Sequence, residues 1–245
     1  MIDPLAALPA VKTWHRELIA ALERDAGLAP APYAEISPHL VIAFTTEALV
    51  GPRERFPAHY RFVGPSIHDR PETAPFPFEQ LRRPCVLVSM GTVNAEASGR
   101  FYDVAIAALR EQDAQVVLVA PPELARGAPD SFIVRPFVPQ LALLGHVDAV
   151  VCHGGHNTTC EALAHALPLV IAPIKDDQPI VADQVVAAGA GLRVKFGRVQ
   201  APELRDAVHR VRTEPAFRDA ATRVRESFAR AGGAPAAALE LEALA

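Results

Sequence analysis

The sequence predicts an α/β protein, a doubly wound parallel sheet with part of a second domain ahead of it. Three observations carry that expectation. From Cys85 onward, short apolar runs of strand length alternate with helical segments. Several of those runs end directly in turns rich in Gly, Ser, Asn or Asp. The prolines are uneven, with 12 of the 23 in residues 1–84. Strands buried on both faces read as continuous apolar runs, and their alternation with helices implies parallel crossovers on both sides of one sheet.

Residues 1–70 hold one predicted helix, over 11–24, and two short strands, over 39–44 and 60–63. That is too little alternating structure for a complete domain, so the segment reads as the remnant of one. Pro71-Glu-Thr-Ala-Pro-Phe-Pro-Phe opens a linker over 71–83, since closely spaced prolines favour extended, semi-rigid backbone. The main domain is expected over 84–245. Its strands are predicted over 85–90, 115–120, 131–134, 148–152, 167–172 and 191–194. Helices are predicted over 99–112, 157–166 and 178–188, with a short one over 140–144. From 202 onward, Ala-, Arg- and Glu-rich sequence predicts helices broken near Gly232-Gly233.

Composition removes several classes of function. A net charge of -4 argues against a general nucleic-acid binder, because a phosphate backbone demands a basic face. No apolar run approaches the ~20 residues that span a bilayer, and no basic segment followed by an apolar one opens the chain. Cys85, Cys152 and Cys160 are not spaced as Cys-x-x-Cys. Neither a disulfide framework nor a metal site is expected, and a reducing cytoplasm is the natural compartment.

In an open parallel sheet, ligands sit beyond the carboxyl ends of the strands. Three turns are placed for that: Ser89-Met-Gly91-Thr92, His153-Gly-Gly-His-Asn-Thr158 and Pro173-Ile-Lys-Asp-Asp-Gln178. The middle one is the most informative. Gly154 and Gly155 allow a tight turn and close approach of backbone to a ligand. Asn157 and Thr158 fall at the predicted helix start, where they can cap it, and the free N–H groups there favour an anion. His153 on the same lip can donate to a phosphate oxygen, charged or neutral. Glu161 lies one turn beyond Asn157 on the same helical face, suited to a vicinal diol as acids hold ribose in dinucleotide sites. An anion at the helix end and a diol one turn along describe a nucleotide diphosphate.

Plainer readings stand beside these. Gly-Gly before a helix is often only a turn, and Asp176-Asp177-Gln178 is an ordinary helix start, although Asp177 and Gln178 also suit sugar hydroxyls. Lys175 reads as a solvated charge. Phe137 is either core or a stacking platform, and Pro139 can simply start the helix at Gln140. The middle turn is neither a Walker A loop nor Gly-x-Gly-x-x-Gly, so a nicotinamide cofactor has little support.

Together these segments resemble the UDP-glycosyltransferases of the macrolide-inactivating and plant natural-product type, which share the GT-B fold. The likeness runs from Pro84 to the C-terminus on four motifs in the family's order: Ser-x-Gly-Thr at Ser89, aromatic-x-Pro-Gln at Phe137, His-x-Gly-x-Asn-Thr with a downstream Glu at His153, and Pro-x-x-x-Asp-Gln at Pro173. The resemblance implies a Rossmann-like donor domain. It implies that Phe137 and the Val138 backbone hold the uracil, with Gln140 near base and ribose. His153, Asn157, Thr158 and the Gly155–His156 backbone would hold the pyrophosphate, faced by Ser89, Gly91 and Thr92. Glu161 would bind the ribose, and Asp177 and Gln178 the sugar. Phe137 stands where plant members usually carry Trp, as does His156.

The resemblance further implies an inverting, metal-independent transfer from a nucleotide-diphosphate sugar, UDP in preference to dTDP, to the hydroxyl of a small-molecule acceptor, with no cofactor. Family members open with an acceptor-binding domain whose first strand leads to a His that deprotonates the acceptor. Residues 1–83 resemble only its last part, through 40–46 and Arg61-Phe-Val-Gly-Pro65. His15 lies in a predicted helix and does not match the base. The expectation is donor binding with negligible transfer by the chain alone. The competing expectation is a non-catalytic donor-binding subunit working through a partner chain or a homodimer, since surface left by a missing domain favours association.

Overall fold

The computed structural model describes residues 9–30, 37–67, 74–91 and 98–244. The N-terminal part comprises helix α1 (Pro9–Asp25), strand β1 (Val41–Ala43), helix α2 (Glu47–Val50) and strand β2 (Tyr60–Phe62). The rest runs β3 (Cys85–Ser89), α3 (Gly99–Leu109), β4 (Gln115–Val119), β5 (Ile133–Arg135), α4 (Gln140–Leu144), β6 (Ala149–Cys152), α5 (His156–Ala164), β7 (Leu169–Ile171), α6 (Gln178–Ala187) and β8 (Gly191–Arg193). Helices α7 (Ala201–Thr213), α8 (Pro215–Ala231) and α9 (Gly233–Glu242) close it.

The six strands from β3 to β8 form one parallel sheet in the order β5-β4-β3-β6-β7-β8. Strand order reverses between β3 and β6, which pair directly with Ser89 opposite Cys152. That reversal opens a crevice beyond the strand ends, the place where such sheets bind ligands. The period of two along β3 distributes its side chains between two cores. Val86 and Val88 join Phe101 and Tyr102 of α3 and Val208 of α7 on one face. Cys85 and Leu87 join Leu163 of α5, Val185 of α6 and Val224 of α8 on the other. Each fully buried aliphatic or aromatic side chain contributes about 1.5–3 kcal/mol, so both faces hold the crevice rim firmly.

Strands β1 and β2 form a separate parallel pair whose residues are only half-buried or exposed. Two strands cannot enclose a core, and this pair leans on the C-terminal helices instead. The Gly233 N–H donates to the Val63 carbonyl at 2.6 Å, Thr46 and Ser227 share a hydroxyl hydrogen bond of 2.6 Å, and Leu49 of α2 is buried in the second core. Helix α1 keeps Trp14, Leu18 and Leu22 exposed at a spacing of four. Part of the expected linker is docked as well: Phe76, Phe78 and Leu81 pack against the second core. Their apolar area outweighs the preference of the intervening prolines for an extended spacer; residues 68–73 lie outside the described set.

Strand positions agree with the periodicity, with ends shifted by up to two residues. The helix expected over 157–166 starts at His156 and ends at Ala164. Helix α2 is too short to show a period. The C-terminal helices break at Pro215 as well as at the glycines, because proline at a first helical position loses no hydrogen bond. Among the described residues, no helix is long and apolar enough to cross a membrane.

Candidate nucleotide site

The crevice at the switch point is a cleft of about 770 Å³. One wall comes from the β3 end and the β6–α5 turn: Ser89, Gly91, His153, Gly155, His156, Asn157 and Thr158. The other comes from the ends of β4 and β5, with Pro121, Glu123, Phe137, Val138 and Gln140, and Tyr102 of α3 lies at the base. Ten of the residues singled out in the sequence therefore meet in one place: Ser89, Gly91, Phe137, Val138, Gln140, His153, Gly155, His156, Asn157 and Thr158. Thr92 lies outside the described residues.

The β6–α5 turn is built around one imidazole. A Cβ on Gly91 would fall 2.8 Å from His153 Cε1, and one on Gly155 would fall 2.5 Å from its Nε2. The ring is therefore wedged between two glycines from different strand ends. Gly91 also sits at φ +75°, a conformation that side chains rarely adopt. Gly154 (φ +88°) packs against Ile171 of β7, which a Cβ would meet at 2.7 Å. Burial depresses the His153 pKa, opposed by the Ser89 backbone and the charge of Asp177. The ring is thus neutral near pH 7, and its Nδ1 is buried with no partner among the described residues.

Asn157 and Thr158 do not cap the helix. Gly155 is the N-cap and makes no side-chain bond, so α5 begins one residue earlier than expected. The physical reason is that Gly155 adopts the non-helical conformation a cap needs (φ -59°, ψ 135°) and leaves His156 as the first helical residue. Exposed Asn157 and half-buried Thr158 then face the cleft with their side chains uncommitted to capping, and the first-turn N–H groups of α5 point the same way.

Glu161 is not on the cleft wall. It is buried, and its Oε2 accepts a hydrogen bond of 2.5 Å from Nε2 of Gln140, which does line the cleft. Gln140 therefore stands between Glu161 and the cleft. Asp177 is the N-cap of α6 and Gln178 its first residue, and neither is among the residues enclosing the cleft. Asp177 is exposed, whereas Gln178 is buried with its Oε1 accepting from the backbone of Ile174 at 2.9 Å and Lys175 at 3.2 Å. Phe137 is 63% exposed and belongs to neither core, which removes the core reading of this residue. His15 is exposed on α1, stacked on Trp14 rather than near the cleft.

Sequence reasoning missed the wall contributed by Pro121, Glu123 and Tyr102. The Tyr102 hydroxyl donates to the Val119 carbonyl at 3.1 Å and burial pushes its pKa up to about 12, so it stays a neutral brace between α3 and β4. The Pro121-Pro122 pair directly after β4 was the available signal, since proline cannot continue a strand.

The chain matches the family described as Erythromycin biosynthesis protein CIII-like, C-terminal domain, over residues 103–244. It is 39% identical over 199 residues to 4'-demethylrebeccamycin synthase of Lentzea aerocolonigenes, covering 79% of this chain and 47% of that protein. It is 36% identical over 205 residues to the uncharacterized UDP-glucosyltransferase YojK of Bacillus subtilis, covering 81% of this chain and 50% of that one. Among solved structures, the glycosyltransferase of kitacinnamycin superposes with a TM-score of 0.77 at 25% identity, over 97% of this chain and 62% of its own. The chain spans about half the length of the curated relatives it matches.

Proposed function

The chain belongs to the family of the Erythromycin biosynthesis protein CIII-like C-terminal domain, and from that premise we propose that its cleft binds the nucleotide diphosphate of a sugar donor. The observation that carries the reading is His153, wedged between two glycines at the switch point, beside the free N–H groups of α5. The pyrophosphate lies on the α5 terminus and His153, where helix dipole and unpaired donors favour an anion. The nucleobase lies on Phe137 against the Val138 backbone. Two relatives' descriptions accord with this: one is named a UDP-glucosyltransferase, and the glycosyltransferase VinC was solved in complex with dTDP.

In the transfer we propose, an acceptor oxygen attacks the anomeric carbon as the bond from that carbon to the phosphate oxygen breaks, with inversion. The electron pair leaves on the pyrophosphate, whose new charge meets His153 and the α5 donors, groups already aimed before the reaction. No metal is required in this reading, because those donors carry the charge. UDP is the preferred nucleotide, Asp177 and Gln178 are assigned to the sugar, and the three buried, unbridged cysteines fit a reducing cytoplasm. None of the described residues matches the family's base, and in this reading the acceptor hydroxyl gives its proton to a base outside them.

Isothermal calorimetry of the purified chain with UDP, dTDP and GDP tests the reading. Saturable binding of UDP and dTDP, weaker for GDP, is expected. Absence of heat with all three sinks it. Robust glycosylation of a phenolic acceptor by the chain alone would instead overturn the assignment of the base to other residues.

A further inference from the structure

The phosphate lip is tied to the N-terminal part of the chain at one side chain. His156, the first residue of α5, brings its Nε2 within 3.1 Å of the Phe44 carbonyl oxygen, 112 residues away in sequence. A carbonyl only accepts, so Nε2 carries the proton and donates. Among the described residues, His156 is the cleft-lining side chain that hydrogen-bonds to the segment just after β1. Its backbone N–H is at the same time one of the unpaired first-turn donors that an anion at the α5 terminus would engage. One residue thus faces a ligand with its main chain and the N-terminal part with its ring.

The segment at the far end of that bond is anchored through its backbone while its side chains differ in how they are used. The Thr45 N–H folds back onto the Ala43 carbonyl at 2.8 Å, the Gly64 N–H donates to the Thr45 carbonyl at 2.9 Å, and Thr46 is fixed to Ser227. Between them, the Thr45 hydroxyl is buried with no partner, and Phe44 is 41% exposed beside the cleft. The His156 bond connects this segment to the start of α5 at the cleft.

We propose that His156 couples occupancy of the nucleotide cleft to the ordering of the Phe44–Thr46 segment. This rests on the nucleotide reading above. A ligand that fixes the first turn of α5 fixes the His156 ring, which through its N–H steadies Phe44; by linkage, ordering that segment improves nucleotide affinity by the same factor. His156 is a positioning residue in this scheme. Its contribution is to make the N-terminal part of the chain respond to the donor, the side from which an acceptor would approach.

Hydrogen–deuterium exchange on the whole chain tests the coupling, with and without UDP at a concentration that calorimetry shows to be saturating for each variant. In the unaltered protein, UDP is expected to slow exchange both in α5 and in peptides covering 41–50, by about fivefold or more in the latter, as a coupling of ordinary size gives. His156→Phe keeps a ring but removes the donor. It should retain the UDP effect on α5 and lose it over 41–50. His156→Gln keeps an N–H that can reach the carbonyl and should restore the effect. Equal protection of 41–50 in the unaltered protein and in His156→Phe overturns the proposal, as does protection of α5 alone in the unaltered protein. If UDP binds neither by heat nor by exchange, the nucleotide reading itself fails and the coupling falls with it.

Discussion

The two walls of the cleft are built in opposite ways. On the β6–α5 side, His153 is clamped between Gly91 and Gly155, Gly154 is pressed against Ile171, and the helix presents its donors before any ligand arrives. On the β5–α4 side, Phe137 stands 63% exposed and touches no core. The wall proposed for the anion is thus preorganised by packing, whereas the wall proposed for the base stands open. The difference follows from what each ligand part needs. Charge is stabilised only by donors already in place, while an aromatic platform gains from the area a base covers on arrival.

The sharpest way to break this contrast is Gly155→Ala. The glycine's backbone (φ -59°) suits alanine, so the change acts only through the clash with His153 Nε2. Nucleotide affinity is expected to fall by about 100-fold, equivalent to about 2.7 kcal/mol, with the melting temperature little altered. Retained affinity would show that the wedged ring does not matter.

Next in size is the pair behind the wall. Glu161→Ala and Gln140→Ala should each cost about 1–3 kcal/mol of UDP binding. Because Glu161 acts on the cleft across Gln140 at 2.5 Å, the double variant should fall short of the sum by about 0.5 kcal/mol or more. Strict additivity would mean that the two residues meet the ligand independently.

Phe137→Ala probes the open wall. A loss of about 0.5–1.5 kcal/mol in UDP binding beyond the lost area is expected, with an unchanged melting curve because the ring supports no core. A marked drop in stability would erase the contrast between the walls.

The smallest effect is one of pH. Burial holds the folded pKa of His153 below its ordinary 6.5, so the unfolded chain binds this proton more readily. Stability should therefore decline as pH falls through 6.5 toward the folded value and stay level above it. Denaturant melts of the protein and of His153→Asn between pH 5 and 7.5 check this, since the variant should lose that part of the slope.

Much of the site was legible because turn chemistry is local. His153-Gly154-Gly155 and the residues at the start of α5 are neighbours in sequence, and the free donors of a helix start follow from backbone geometry alone. Helical spacing fixes the face of α5 that Glu161 occupies but not which side chain meets it there, and in the fold that is Gln140. The cap misread arose the same way: Asn157 is a good capping residue, but Gly155 already holds the conformation that ends the turn.

By itself, then, the sequence determined the alternation of strand and helix, the parallel sheet and the character of its ligand-facing turns, because periodicity and turn preference are written in adjacent residues. Only the tertiary structure decided what sits against what. It placed Gly91 on the ring of His153, Gln140 in front of Glu161, the Phe44 carbonyl on His156 and the N-terminal strand pair on the last two helices. Those pairs lie far apart in sequence, and no local preference encodes them. They are set by strand order and by how each face of the sheet is covered, which the chain settles only when it packs.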